Sequence, residues 1–109
     1  MKKSEIKFVV ELDEDQIPEK IMWDADDNES NGFSETKSVS LSLWDHQNKN
    51  TLRIDLWTKD MPVDEMKRFY VDCLGGLAQS ALNATGDEYI NQEINTLCDR
   101  LIEHIKQES

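Results

Sequence analysis

Apolar and polar positions alternate along the first half of the chain, and apolar positions take a helical spacing in the second. In "EIKFVVEL" (residues 5–12), Ile6, Phe8, Val10 and Leu12 share one face, while Lys7 and Glu11 point the other way. A period of two predicts a half-buried strand. "DEDQIPEK" follows as a turn or loop with Pro18 as its breaker. "EKIMWDA" (19–25) predicts a shorter strand of ambiguous register, because Ile21 and Trp23 face opposite Met22. "SVSLSLW" (38–44) directs Val39, Leu41 and Leu43 inward and Ser38, Ser40, Ser42 and Trp44 outward; "TLRIDLWT" (51–58) directs Leu52, Ile54 and Leu56 inward. Pairing Trp44 with Thr51 makes a hairpin in which Leu43 meets Leu52, Leu41 meets Ile54 and Val39 meets Leu56. On its outer face Ser42 meets Arg53, Ser40 meets Asp55 and Ser38 meets Trp57. A slip of one residue would set apolar against polar throughout, so the pattern selects this register.

The first helix is predicted to start near Met61, with Asp60 as N-cap and Pro62 in the first turn, where amide donors lack helical partners. Asp64 and Glu65 complement the positive end of the helix dipole. Met66, Phe69, Tyr70, Cys73, Leu74, Leu77, Ala78, Ala81 and Leu82 form a broad apolar stripe, interrupted by Gly75-Gly76. The glycine pair marks either a kink or a close backbone approach, and the spacing leaves both open. Gly86 is a helix terminator and Asp87 an N-cap for a second helix over about 88–106, in which Ile90, Ile94, Leu97, Leu101 and Ile105 recur at helical spacing. The short link predicts an antiparallel pair. The expected architecture is α+β: one domain, residues 1–109, with an N-terminal four-stranded antiparallel sheet covered on one face by a C-terminal αα-hairpin.

Composition narrows the function classes. The 109 residues carry a formal net charge of −11, with 38% hydrophobic and 32% charged positions, enough for one modest core. Such a field repels phosphate backbones, so no nucleic acid is expected as a partner. No window approaches 18 consecutive apolar residues, so no membrane insertion is expected. "MKKSEIKF" has lysines but no apolar run after them, so it does not read as a signal peptide, and the expected location is cytoplasmic. Cys73 and Cys98 fall among apolar helix neighbours and read as reduced, buried thiols; a disulfide between the helices is disfavoured in that compartment.

Catalytic chemistry finds little support. His46 lies in the hairpin loop and His104 near the chain end, neither beside a nucleophile, and no Gly-rich loop follows a strand. The 23 acids make carboxylate pairs common by chance, whereas a catalytic pair needs unequal burial. No enzyme activity and no cofactor are expected. One acidic run approaches a calcium loop. In "DADDNESNGFSE", Asp24, Asp26 and Asn28 occupy positions 1, 3 and 5, and Glu35 position 12. Glu29 stands where that loop needs glycine, Asn31 where it is apolar, and the flanks are strands. A polar connection over 24–37 is therefore expected, with no metal site.

Trp44 and Trp57 share the face of the hairpin opposite the helices, with Arg53 and Asp55 between them. Aromatics bury much area at small entropic cost, which suits a protein-binding surface made of Trp44, Trp57, Arg53 and Asp55. The competing reading is that a loop such as 24–37 folds over one of them. Open sheet edges add a tendency to pair with another chain, so a homo-oligomer is expected.

"SEIKFVVELDEDQIPEKIMWDADD" and "LRIDLWTKDMPVDEMKRFY" resemble the gliding motility protein GldC family of Bacteroidota, over about Ser4 to Ile105. The resemblance implies an accessory role in gliding, coupled to type IX secretion, with a partner in that machinery and no enzymatic activity. The element order of four strands and two helices is also similar to that of the export chaperone SecB, which would imply a holdase for exported proteins. Element order alone does not establish function.

Overall fold

Each alternating stretch forms a strand and each helically spaced stretch a helix. The computed structural model describes residues 2–26 and 32–108. In chain order the elements are β1 (Ile6–Leu12), β2 (Pro18–Ala25), β3 (Ser34–Thr36), β4 (Ser38–Asp45), β5 (Asn50–Trp57), α1 (Val63–Thr85) and α2 (Glu88–Glu108). The chain divides into two compact units, Met1–Met61 and Pro62–Ser109.

In the strand unit the expected four-stranded sheet is replaced by two antiparallel sheets, β1-β2-β3 and β4-β5. The division falls at Lys37. Thr36 turns its hydroxyl onto the Ser38 carbonyl (3.1 Å), and the Lys37 carbonyl accepts the Thr58 N–H (2.9 Å). The chain before Lys37 thus pairs with β2 and the chain after it with β5. The short strand β3 lies inside the stretch expected to be a plain connection; three polar residues carry no alternation to reveal it.

The ladders settle the face that the pattern of β2 left open. Phe8 lies opposite Trp23 and Val10 opposite Ile21, while Val9 faces Met22 on the other side. Ile21 is fully buried. Charged residues pair across the second face, Lys7 with Asp24 and Glu11 with Lys20. Pro18 opens β2 opposite Leu12 instead of sitting in the loop. The β1–β2 turn is tied by the Asp13 carboxylate, whose Oδ1 accepts the amides of Asp15 (2.8 Å) and Ile17 (3.0 Å). Its Oδ2 accepts Lys59 Nζ (3.1 Å), which also reaches Glu19 (3.0 Å).

The β4–β5 hairpin adopts the expected register at every pair from Ser38–Trp57 to Trp44–Thr51. In its turn, Lys49 takes positive φ and the Asp45 carboxylate accepts the Gln47 amide and Asn48 Nδ2 (3.0 and 2.8 Å). The apolar face departs from expectation. Val39, Leu41 and Leu56 are half-buried, but Leu43, Leu52 and Ile54 remain 53%, 51% and 46% exposed. Where the chain after β5 meets β2, the Lys59 N–H donates to the Pro18 carbonyl (3.2 Å), at the Trp57 end of the hairpin and away from Leu43 and Leu52.

In the helical unit α1 starts at Val63, capped by Pro62 in extended conformation without a side-chain bond. Asp60 is therefore not the cap; its carboxylate takes Lys37 Nζ and the Thr58 hydroxyl, each at 2.7 Å. Helix α1 runs unbroken through Gly75 and Gly76, and among the described residues a Cβ at either would meet nothing within 4 Å, so no close backbone approach is seen there. Gly86 ends it at φ 73° with its N–H on the Leu82 carbonyl. Asp87 then caps α2 through the Ile90 N–H (3.1 Å). The two helices pack together over Ala78 and Cys98, with Asn91 Nδ2 donating to the Ala78 carbonyl (3.0 Å).

Candidate functional site

Strand periodicity places Ser38, Ser40, Ser42 and Trp44 of β4 beside Trp57, Asp55, Arg53 and Thr51 of β5 on one face. Arg53 organises its centre. Its Nη1 donates to Ser42 Oγ (2.5 Å), its Nη2 to Ser40 Oγ (2.7 Å) and Asp55 Oδ1 (2.9 Å), and its Nε to Asp55 Oδ2 (3.3 Å). Ser40 Oγ in turn donates to Asp55 Oδ1 (2.8 Å). The guanidinium fork meets the carboxylate at two points, which fixes orientation as well as charge. Arg53 first, and then Ser40, holds the Asp55 carboxyl below its usual range. The result is a charge-compensated patch spanning both strands.

The tryptophans bracket this patch. Trp44 lies across from Thr51 and Trp57 across from Ser38, six residues along β5, a separation of about 20 Å at strand rise. Trp44 is 64% exposed and Trp57 50% exposed. Both predicted anchors and both predicted polar residues are thus on one hairpin face, and Arg53 and Asp55 touch. The two tryptophans are too far apart to touch each other. Sequence reasoning did not anticipate the network through Ser40 and Ser42, although the cross-strand pairs Ser40–Asp55 and Ser42–Arg53 contain the signal.

The remaining candidates do not converge on chemistry. His104 Nε2 pairs with Glu108 (2.9 Å) at the end of α2, and His46 lies beside Lys49 Nζ (3.5 Å) in the hairpin turn. Cys73, half-buried, and Cys98, buried, are not joined in a disulfide; Cys98 Sγ faces the Val71 carbonyl (3.9 Å). Of the calcium-like run, Asn28, Glu29 and Asn31 lie outside the described residues. Asp26 Oδ2 accepts the Glu5 amide (3.0 Å), and Glu35 lies in β3 opposite Met22. Among the described residues no group of three His, Cys, Asp or Glu side chains is placed to hold a metal ion, and no helix is long and apolar enough to cross a membrane.

Comparison with known proteins adds one match. A family model described as "Gliding motility-associated protein GldC-like" matches residues 18–107. No curated protein and no solved structure matches the chain.

Proposed function

Because this chain belongs to the GldC-like family of gliding motility-associated proteins, we propose that it is a non-enzymatic adaptor that docks a protein of the gliding or type IX secretion machinery on the outer face of its β4–β5 hairpin. The observation that carries this reading is the pair Trp44 and Trp57, open on one face around the Arg53–Asp55 patch. Large aromatics left open on a rigid strand lose little entropy when a partner covers them, and the polar patch between them gives register. The net charge of −11 favours a partner with a basic or apolar contact surface over an acidic one.

The experiment is retrieval of partners from a gliding bacterium by the tagged protein and by its Trp44→Ala, Trp57→Ala form. A small reproducible set, retained by the first and lost by the second, supports the adaptor. An unchanged set would place docking elsewhere. The exposed Leu43, Leu52 and Ile54 on the opposite face favour a second reading, a holdase that binds unfolded exported chains on apolar surface. That reading expects a broad set of unfolded secreted proteins and suppression of their aggregation in solution.

A further inference from the structure

β1 is the terminal strand of its sheet, and among the described residues no strand pairs with its second side. All of its residues except Val10 are exposed, Ile6, Phe8, Val9 and Leu12 among them. An apolar edge of this length, with its one irregularity confined to Glu11/Leu12, is a template for another strand.

We propose that the occupant is a second copy of this chain: two β1 strands pair antiparallel about a two-fold axis through Val9, joining two three-stranded sheets into one. Backbone direction supplies the first argument. The Asp26 N–H donates to the Glu5 carbonyl (3.3 Å), so Glu5, and by alternation Lys7, Val9 and Glu11, aim their backbone groups at β2. Ile6, Phe8 and Val10 aim theirs outward. With Val9 opposite Val9 of the second copy, Phe8 meets Val10 and Ile6 meets Leu12, so outward groups bond outward groups.

Side chains select the same register. On one face Ile6, Phe8, Val10 and Leu12 of both copies make a continuous apolar surface. On the other, Lys7 of each copy meets Glu11 of its mate, twice, with the two Val9 side chains between them. Centring the axis on Phe8 instead would set Glu5 against Glu11, and centring it on Val10 would set Glu11 against Val9. The Phe8 axis loses the ion pairs, and the Val10 axis moves Lys7 onto Asp13, which lies beyond β1 and whose carboxylate already holds Lys59 and the amides of Asp15 and Ile17. Residues 2–12 carry three lysines against two glutamates, so this edge does not share the acidic excess of the rest of the chain. β5 has a comparable symmetry about Ile54, with Arg53 facing Asp55, but on that edge the Lys59 N–H already donates to the Pro18 carbonyl (3.2 Å). The pairing does not rest on the docking role of the hairpin face.

Sedimentation equilibrium of the full chain, from micromolar to submillimolar concentration, tests it. The mass is expected to rise from 12.7 kDa to twice that value. Val10→Pro removes an outward N–H and leaves the β2 ladder intact. It should weaken the dimer by at least about tenfold, with the circular dichroism unchanged. Val9→Cys places two thiols at a non-hydrogen-bonded pair, where Cα atoms lie about 4.5 Å apart, within disulfide reach. Oxidised glutathione should link residue 9 to residue 9, identified by peptide mapping, while Lys7→Cys stays unlinked. A 12.7 kDa mass at every concentration, a Val10→Pro protein that dimerises like the parent, or equal linking at positions 7 and 9 overturns the proposal.

Discussion

Replacing Trp44 by alanine separates a docking role from a folding role, because the side chain divides its surface unequally between solvent and protein. Trp44 is 64% exposed. Of roughly 200 Å² that an enclosed tryptophan buries, about 70 Å² is then already buried in the chain and about 130 Å² is open to a partner. At about 25 cal/mol/Å², truncation costs the fold about 2 kcal/mol and a complex covering the face about 3 kcal/mol more. The second figure is a rise in Kd of about two orders of magnitude. Urea unfolding followed by circular dichroism reads the first, and titration calorimetry with the retrieved partner reads the second. Loss of about 2 kcal/mol of stability with Kd unchanged within about twofold would refute the docking face, since a covered indole cannot be removed from a tight interface without effect. Loss above about 4 kcal/mol would refute the exposure on which the reasoning stands.

Other consequences are local. Gly76→Ala should stabilise the helical unit by about 1 kcal/mol in urea unfolding, because α1 is continuous there and the added methyl meets open space; a loss of stability would point to a contact at that turn. Asp87→Ala should cost about 1 kcal/mol by removing the cap on the Ile90 amide, and Asp87→Ser should restore most of it. Gly86→Ala, at φ 73°, should destabilise by about 1 kcal/mol, with thermal unfolding as the readout. Arg53 lowers the Asp55 carboxyl below its ordinary value of 3.8, so the charged form is favoured in the folded chain. Its contribution is complete above that value and is lost as pH falls through the lower folded pKa. Asp55→Asn should therefore lower the urea midpoint near neutral pH and converge with the parent in strong acid; a difference that persists there would assign the effect to packing.

Much of the candidate face was readable because its information is short-range. The serine–leucine alternation of β4 and the leucine alternation of β5 allow one low-cost register, and that register puts Trp44, Arg53, Asp55 and Trp57 on one side. The fork between Arg53 and Asp55, and its anchoring by Ser40 and Ser42, depends on rotamers that neighbouring strands choose together, so identity alone did not reveal it. Asp60 shows the converse error. Its position before Pro62 suits an N-cap, yet Lys37 and Thr58 take the carboxylate and Pro62 caps the helix with backbone alone. A distant lysine with a full charge outcompeted the local amide.

By itself the sequence determined which residues form β1, β2, β4, β5 and the two helices, where α1 stops and α2 begins, and the pairing of the hairpin. Each of these follows from a period or a cap within a few residues. Only the tertiary structure decided that the strands split into two sheets at Lys37, that Ser34–Thr36 is a strand, that Ile21 rather than Met22 enters the core, and that Leu43, Leu52 and Ile54 stay open. The physical reason is that partners far along the chain compete for the same backbone groups and apolar faces. A periodic pattern says that a face must be covered, and the identity of what covers it lies outside that pattern.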